Sequence, residues 1–74
     1  MFQWKIRLDT KSDITNFFNA VSNIKDEVYL KSGERLCVSA KSLLGCHLAA
    51  VEWDNLICQC DSDIYTAIQQ FTEE

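Results

Sequence analysis

The first third of the chain changes from strand-like to helix-like spacing of its apolar residues. Residues 2–9 carry an apolar side chain at every second position, and this period-two pattern predicts a strand with one face on the core. After a polar break, apolar residues recur at helical spacing, which predicts a first helix over about 13–24 capped by Ser12 or Asp13. The core positions of the predicted strand are Phe2, Trp4, Ile6 and Leu8.

The middle of the chain predicts a hairpin followed by a short helix. Residues 27–31 and 35–40 carry β-type side chains, and Gly33 lies in the polar break between them. Ser42 opens a second helical pattern, because its hydroxyl can cap the first turn. One stripe of this helix consists of Leu44, Leu48 and Val51, with Leu43 and His47 beside it.

The last part of the chain predicts one more strand and one more helix. Residues 52–55 predict a loop, and the alternation over 56–61 predicts a fourth strand. Apolar residues at helical spacing then predict a third helix capped by Asp61 or Ser62. The core positions of that helix are Ile64, Ala67, Ile68 and Phe71.

The resulting order, β-α-β-β-α-β-α, predicts an α+β fold. A four-stranded antiparallel sheet with three helices on one face and water on the other, an open-faced β-sandwich, accommodates this order. Apolar residues make up 47% of the chain and charged residues 24%, which is typical of a folded globular protein. With 74 residues and no visible linker, residues 1–74 are expected to form a single domain.

Charge and hydropathy narrow the classes of partner. The net charge is −4, whereas nucleic-acid binders concentrate Lys and Arg, so no nucleic-acid partner is expected. The longest apolar run is 48–51, far too short to cross a membrane. The N-terminal segment alternates apolar with charged residues and lacks the apolar block of a signal peptide, which favours a cytoplasmic location.

Residues 38–51 carry a resemblance to a known family. They read Val-Ser-Ala-Lys-Ser-Leu-Leu-Gly-Cys-His-Leu-Ala-Ala-Val. This stretch resembles the HPr family, the small phosphocarrier proteins of the bacterial sugar phosphotransferase system. Their regulatory serine lies in a Lys-Ser-Ile/Leu-Met/Leu-Gly segment that opens the second helix, which here is Lys41–Gly45. The resemblance extends to the order of elements and to a slightly shorter chain, and it implies an open-faced β-sandwich of HPr type.

The segment before the first helix departs from that family. HPr proteins have a Gly-Ile-His-Ala-Arg-Pro-like stretch there, whose His accepts the phosphoryl group. Residues 8–14 contain no His, Arg or Pro, and Thr10 or a close neighbour stands near the position of that His. An unactivated Thr hydroxyl is a poor nucleophile. The resemblance therefore implies a regulator or adaptor that is not an enzyme and has no phosphocarrier activity, similar to HPr-like regulators of the catabolite-repression type.

Two interpretations of Ser42, a helix cap and a phosphorylation site, rest on the same physics. Its hydroxyl can cap the second helix, and a phosphate there would meet the positive end of the helix dipole. The resemblance implies regulatory phosphorylation at Ser42 and a partner-binding surface with Leu43, Leu44 and His47. It implies as partners an HPr-type serine kinase/phosphorylase, a catabolite-control transcription factor or a sugar-system enzyme. His47, the single histidine, is expected on this surface and not in catalysis.

The four cysteines and the second tryptophan leave other functions open. Cys58 and Cys60 share one strand face and are expected in the core, and Cys37 and Cys46 lack the close spacing of zinc ligands. We therefore expect packing thiols, no metal and no cofactor. Trp53 is expected in an exposed loop that favours an interface. The alternatives are a cysteine-based metal or redox protein and a repurposed HPr fold that acts as an oligomerising structural module. The expected state is a monomer or a weak homo-oligomer.

Overall fold

The computed structural model describes residues 1–73 of the chain and confirms the predicted order of elements. No helix among these residues is long and apolar enough to cross a membrane. The elements are β1 (Phe2–Lys5), α1 (Lys11–Ser22), β2 (Val28–Ser32), β3 (Leu36–Ser39), α2 (Leu43–Glu52), β4 (Ile57–Cys60) and α3 (Tyr65–Ile68), followed by a 3-10 turn (Gln69–Phe71).

The strands form one antiparallel sheet in the order β1-β4-β2-β3. The register aligns one row of residues on the core side and the next row on the outer side, as period-two alternation requires. The core-side row is Trp4, Cys58, Leu30 and Val38, and the outer row is Gln3, Gln59, Tyr29 and Ser39. The fold is therefore α+β, with a four-stranded antiparallel open sheet and three helices.

The hydrophobic core lies between the helices and the core side of the sheet. The buried side chains of α1, α2 and the C-terminal segment belong to one cluster with those of the strands. Phe17 of α1 meets Phe71 edge to face, with ring centroids 5.5 Å apart. The outer face of the sheet is polar, and Gln59 accepts hydrogen bonds there from Gln3 (2.9 Å) and Lys31 (3.3 Å).

The first residues of the N-terminal strand are more exposed than their alternation predicts. Ile6 and Leu8 are buried, but Phe2 is 45% exposed and Trp4 is only half-buried. The rings of Phe2 and Trp4 stack on each other, 5.9 Å between centroids. Because β1 lies at the edge of the sheet, its first residues have fewer neighbours to cover them.

The first helix begins two residues before the predicted start and is capped by a different residue. The cap is Thr10, so the prediction of Ser12 or Asp13 is wrong. Thr10 Oγ1 accepts the Asp13 N–H (3.1 Å), and the Asp13 carboxylate accepts the N–H of Thr10 (3.3 Å). This reciprocal pair is a capping box, in which Asp13 serves as the third helical residue.

Three of the four predicted core positions of the C-terminal segment are buried, but its helix is not capped as predicted. Ile64, Ile68 and Phe71 are buried, whereas Ala67 is exposed. The residue before α3 is Ile64, with no side-chain cap, so neither Asp61 nor Ser62 caps this helix. Ser62 instead donates its hydroxyl hydrogen to the Asp26 carboxylate, because the loop after β4 lies against the loop before β2.

Candidate protein-binding surface on the second helix

Ser42 is the N-cap of α2, as the sequence predicts. Its backbone is extended, and its Oγ accepts the N–H of Gly45 at 3.1 Å. The N–H of Cys46 donates to the Ser42 carbonyl at 2.9 Å, which begins the helical ladder. Ser42 is exposed. Because the first N–H groups of a helix have no intrahelical acceptor, Ser42 stands where an anion would be stabilised.

The apolar stripe of α2 faces solvent and not the core. Leu44 is 81% exposed, Leu48 47% and Val51 74%, while Cys46 and Ala49 are completely buried. The physical reason is the size of the side chains that fit between α2 and the sheet. A Cβ on Gly45 would lie only 3.1 Å from the Ser39 carbonyl oxygen, so α2 approaches the sheet too closely for larger side chains on that side.

The structure brings together the four residues that the sequence assigns to partner binding. Ser42 and Leu43 lie at the start of α2, and Leu43 is 42% exposed. Leu44 points away from the sheet, and half-buried His47 lies one turn beyond Leu43 on the same flank. We call these four residues the α2 surface. The positions three and four residues from His47 are all apolar, so α2 offers His47 no acid–base partner.

Lys41 connects the start of α2 to the segment that follows α1. Lys41 donates from Nζ to the carbonyl oxygens of Ile24 and, at 3.4 Å, Lys25. Its ammonium group therefore ties the residue before the N-cap to the segment that follows α1. The positive charge of Lys41 therefore lies at these two carbonyl oxygens.

Thr10 lies at the opposite end of the molecule from Ser42. Thr10 follows β1 and Ser42 follows β3, and these two strands run antiparallel in the sheet. The Asp13 carboxylate accepts the N–H groups of Asp9 (3.2 Å) and Thr10 (3.3 Å) at the start of α1. The structure thus places a carboxylate beside Thr10 and does not bring Thr10 near the α2 surface.

A shallow cleft beside Thr10 is not visible in the sequence pattern. It has a volume of about 260 Å³ and lies between the exit of β1 and the loop after α2, with Arg7, Trp53 and Asn55 among its walls. Trp53 is half-buried against the core, so the expected exposed position is wrong. Arg7 Nε donates to Asp9 at 2.9 Å, and this hydrogen bond, together with the charges of Asp9 and Glu73, raises the pKa of Arg7.

Three of the four cysteines are packing residues and one is not. Cys46, Cys58 and Cys60 are buried, whereas Cys37 is exposed on β3, so the expectation of a packing thiol is wrong for Cys37. Burial raises the pKa of the Cys46 thiol to about 11. Burial, followed by repulsion from Cys60 and Cys46, raises the pKa of Cys58 to about 12. Within residues 1–73, no group of three or more potential ligands is arranged to hold a metal ion.

Comparison of the chain with protein-family models, with curated proteins and with solved structures gives no match.

Proposed function

We propose that this protein is an HPr-like regulatory or adaptor domain that acts in the cytoplasm by binding other proteins through the α2 surface. The observation that carries the proposal is the solvent-facing apolar side of α2 next to its exposed N-cap serine. Exposed apolar side chains grouped on one element mark interaction sites more often than those scattered singly. The proposed partners are an HPr-type serine kinase/phosphorylase, a catabolite-control transcription factor or a sugar-system enzyme.

Phosphorylation of Ser42 is the proposed means of regulation. The Ser42 Oγ accepts the N–H of Gly45, so a phosphate on that oxygen would lie at the positive end of α2. A phosphate beside Leu43 and Leu44 would also change an apolar surface into a charged one. Phosphorylation would therefore change which partners the surface accepts.

The start of α1 supports a role without phosphoryl transfer. The family resemblance expects a histidine near Thr10, and the sequence has a threonine there. The Asp13 carboxylate accepts backbone N–H groups at this point, and its negative charge would repel an incoming phosphoryl donor. The proposal therefore assigns regulation to Ser42 and no carrier step to Thr10.

The direct test is incubation with an HPr-type serine kinase and ATP, followed by mass spectrometry of peptides. We expect one added phosphate on Ser42 in the wild type and in Ser22→Ala, and none in Ser42→Ala. Ser22 is a matched control because it is an exposed serine on the other long helix. Absence of label on Ser42, under conditions that label an ordinary HPr, would overturn regulation at this residue.

A second experiment tests the α2 surface itself. Binding of each candidate partner is measured by calorimetry with the wild type, Leu44→Lys and Thr15→Lys. Thr15 is an exposed residue of α1 outside the α2 surface. We expect at least about a tenfold weaker binding for Leu44→Lys only, as loss of an apolar contact in an interface predicts. Equal binding of the two variants would argue against this surface.

A further inference from the structure

The two edges of the sheet differ in whether another segment of the chain pairs with them. Beyond β1, Ile6 forms a bridge with Thr72, and Glu73 donates its N–H to the Lys5 carbonyl at 2.8 Å. The C-terminal segment thus pairs with the chain from Lys5 to Arg7, at the end of that edge. β3 is the last strand at the other edge, and nothing within residues 1–73 pairs with its outer side. The unpaired backbone groups of an edge strand are a template for another strand.

The hydrogen bonds between β2 and β3 show which groups point outward. The Ala40 N–H donates to the Val28 carbonyl at 2.7 Å. Because donor groups alternate along an antiparallel strand, the backbone groups of Cys37 and Ser39 point away from β2. The Ser39 carbonyl already accepts the Ser42 N–H at 3.2 Å. Cys37 is therefore the residue of β3 with both its N–H and its carbonyl directed outward and available.

β3 also lacks the devices that keep an edge strand from pairing. It reads Leu-Cys-Val-Ser, with no charged residue and no Pro, and its pairing with β2 is continuous without a bulge. Leu36 is 43% exposed and Cys37 is also exposed. Charged side chains, Pro and bulges are the usual protection of an edge. The open edge is thus compatible with an added strand centred on Cys37.

We propose that β3 pairs antiparallel with β3 of a second copy, in a two-fold dimer centred on Cys37. The N–H of Cys37 donates to the carbonyl of the partner's Cys37, and the reverse bond completes the pair. The two sheets join into one of eight strands, since each copy contributes four. Because the two-fold contact uses the β3 edge of both copies, the assembly closes at two and does not extend into a filament.

The position of α2 fits this arrangement. α2 lies over β2 and β3. Strands are spaced by about 4.8 Å, so the two α2 axes would lie about 10 Å apart across the two-fold axis, within the range of packed helices. Gly45 lies against Ser39 and Val38, which identifies the flank of α2 nearest the β3 edge. Leu48 is three residues further along on that flank, and the partner helix would cover it.

Charge favours a second copy at the edge and disfavours one on the open face. The two-fold axis makes the α2 helices antiparallel, so Glu52 at the end of one helix meets the positive N-terminus of the other. The open face of the strands carries Lys5 and Lys31 and no acidic residue, so two such faces would repel each other.

The dimer leaves the other flank of α2 accessible. Leu43 and His47 lie on the flank away from Gly45, and Ser42 is at the helix end. A dimer would therefore present Ser42, Leu43 and His47 of the α2 surface in two copies. The inference does not rest on the proposed function, because it concerns the protein alone and is tested without a kinase or another partner.

The first test is sedimentation equilibrium of the full chain from micromolar to millimolar concentration. One copy has a mass of 8.5 kDa, so a dimer is expected at 2 × 8.5 = 17 kDa. Leu48→Glu should give the monomer mass, and Leu43→Glu should keep the dimer mass. These variants match, because the two leucines are 47% and 42% exposed on opposite flanks of one helix. A monomeric wild type, or equal masses for the two variants, would overturn the proposal.

The second test uses Cys37 as a reporter of the register. Residues directly opposite in an antiparallel hydrogen-bonded pair have Cα atoms about 5.5 Å apart, within disulfide range. Diamide removes two hydrogens from a pair of thiols, so the sulfurs form a disulfide and diamide is reduced to the hydrazine. We expect a covalent dimer on a non-reducing gel for the wild type, and none for Cys37→Ser or Leu48→Glu. Equal cross-linking of Leu48→Glu would show random collision and contradict the proposal.

Discussion

At the scale of single residues, the two long helices show when a cap can be identified from sequence. Ser42 is the capping residue closest to the apolar pattern of α2, and it is the cap. Thr10, Ser12 and Asp13 can all cap α1, and Thr10 is the cap because Asp13 can then return a bond to the Thr10 N–H. When neighbouring residues can all cap a helix, only the three-dimensional geometry decides which of them does.

Replacing Thr10 with Ala is expected to lower the free energy of unfolding by about 1 kcal/mol, because it removes the hydroxyl that accepts the Asp13 N–H. Ser12→Ala is the control. Ser12 is an exposed residue of the first turn of α1, and its loss should change stability by no more than about 0.5 kcal/mol. Urea denaturation of the two variants measures the difference, and a larger loss for Ser12→Ala would contradict the assignment.

The buried Cys58 thiol is expected to make stability depend on alkaline pH. Its pKa is raised to about 12 in the folded state, so between about pH 9 and 12 the unfolded chain loses a proton that the folded chain keeps. Stability therefore falls as pH rises through this window, by at most about 1.4 kcal/mol per pH unit for one proton. The comparison is urea denaturation of the wild type and Cys58→Ala from pH 8 upward, since titrating groups that do not interact with Cys58 contribute equally to both. Parallel pH profiles would exclude this contribution.

At the scale of elements, α2 is the part of the fold whose orientation its sequence does not determine. Nearly every residue of this helix is apolar, so helical periodicity gives no preferred face. Cys46 and Ala49 face the sheet because α2 approaches β3 closely at Gly45, and the larger leucines turn outward. By contrast, α1 has one apolar side, and its Ile14, Phe17 and Val21 are buried as their spacing predicts.

Two lysine substitutions test the orientation of α2. Leu44→Lys should change the free energy of unfolding by no more than about 0.5 kcal/mol, because Leu44 is 81% exposed. Ala49→Lys should lower it by about 3 kcal/mol or more, because a long charged side chain would have to enter a fully buried position. Chemical denaturation followed by tryptophan fluorescence measures both. Similar losses for the two variants would mean that α2 has another orientation.

At the scale of the whole molecule, the C-terminal segment closes the fold in two ways. Phe71 contacts Phe17 in the core, and its carbonyl accepts the Arg7 N–H at 2.9 Å. The same few residues therefore complete the core and pair with the chain at the end of β1. The proposed association stops at two copies because its two-fold contact uses the β3 edge of both copies.

Phe71→Ala is expected to remove much of the stability of the domain. Truncation of a buried aromatic side chain costs about 3–5 kcal/mol. A chain of 74 residues has a total of about 4–11 kcal/mol. Phe18→Ala, at a half-buried position on α1, is the control and should cost clearly less. Thermal unfolding by circular dichroism compares them, and an equal loss for both would show that the C-terminal segment does not complete the core.

The sequence by itself determined the type and order of the elements, the hairpin near Gly33, the Ser42 cap and the burial of Cys58 and Cys60. These features follow from local periodicity and backbone preference, which neighbours along the chain set. Only the tertiary structure decided the order β1-β4-β2-β3, the outward direction of Leu44 and the exposure of Cys37. Each of these depends on which distant segment lies beside the residue, and a one-dimensional pattern of apolar positions contains no such distances.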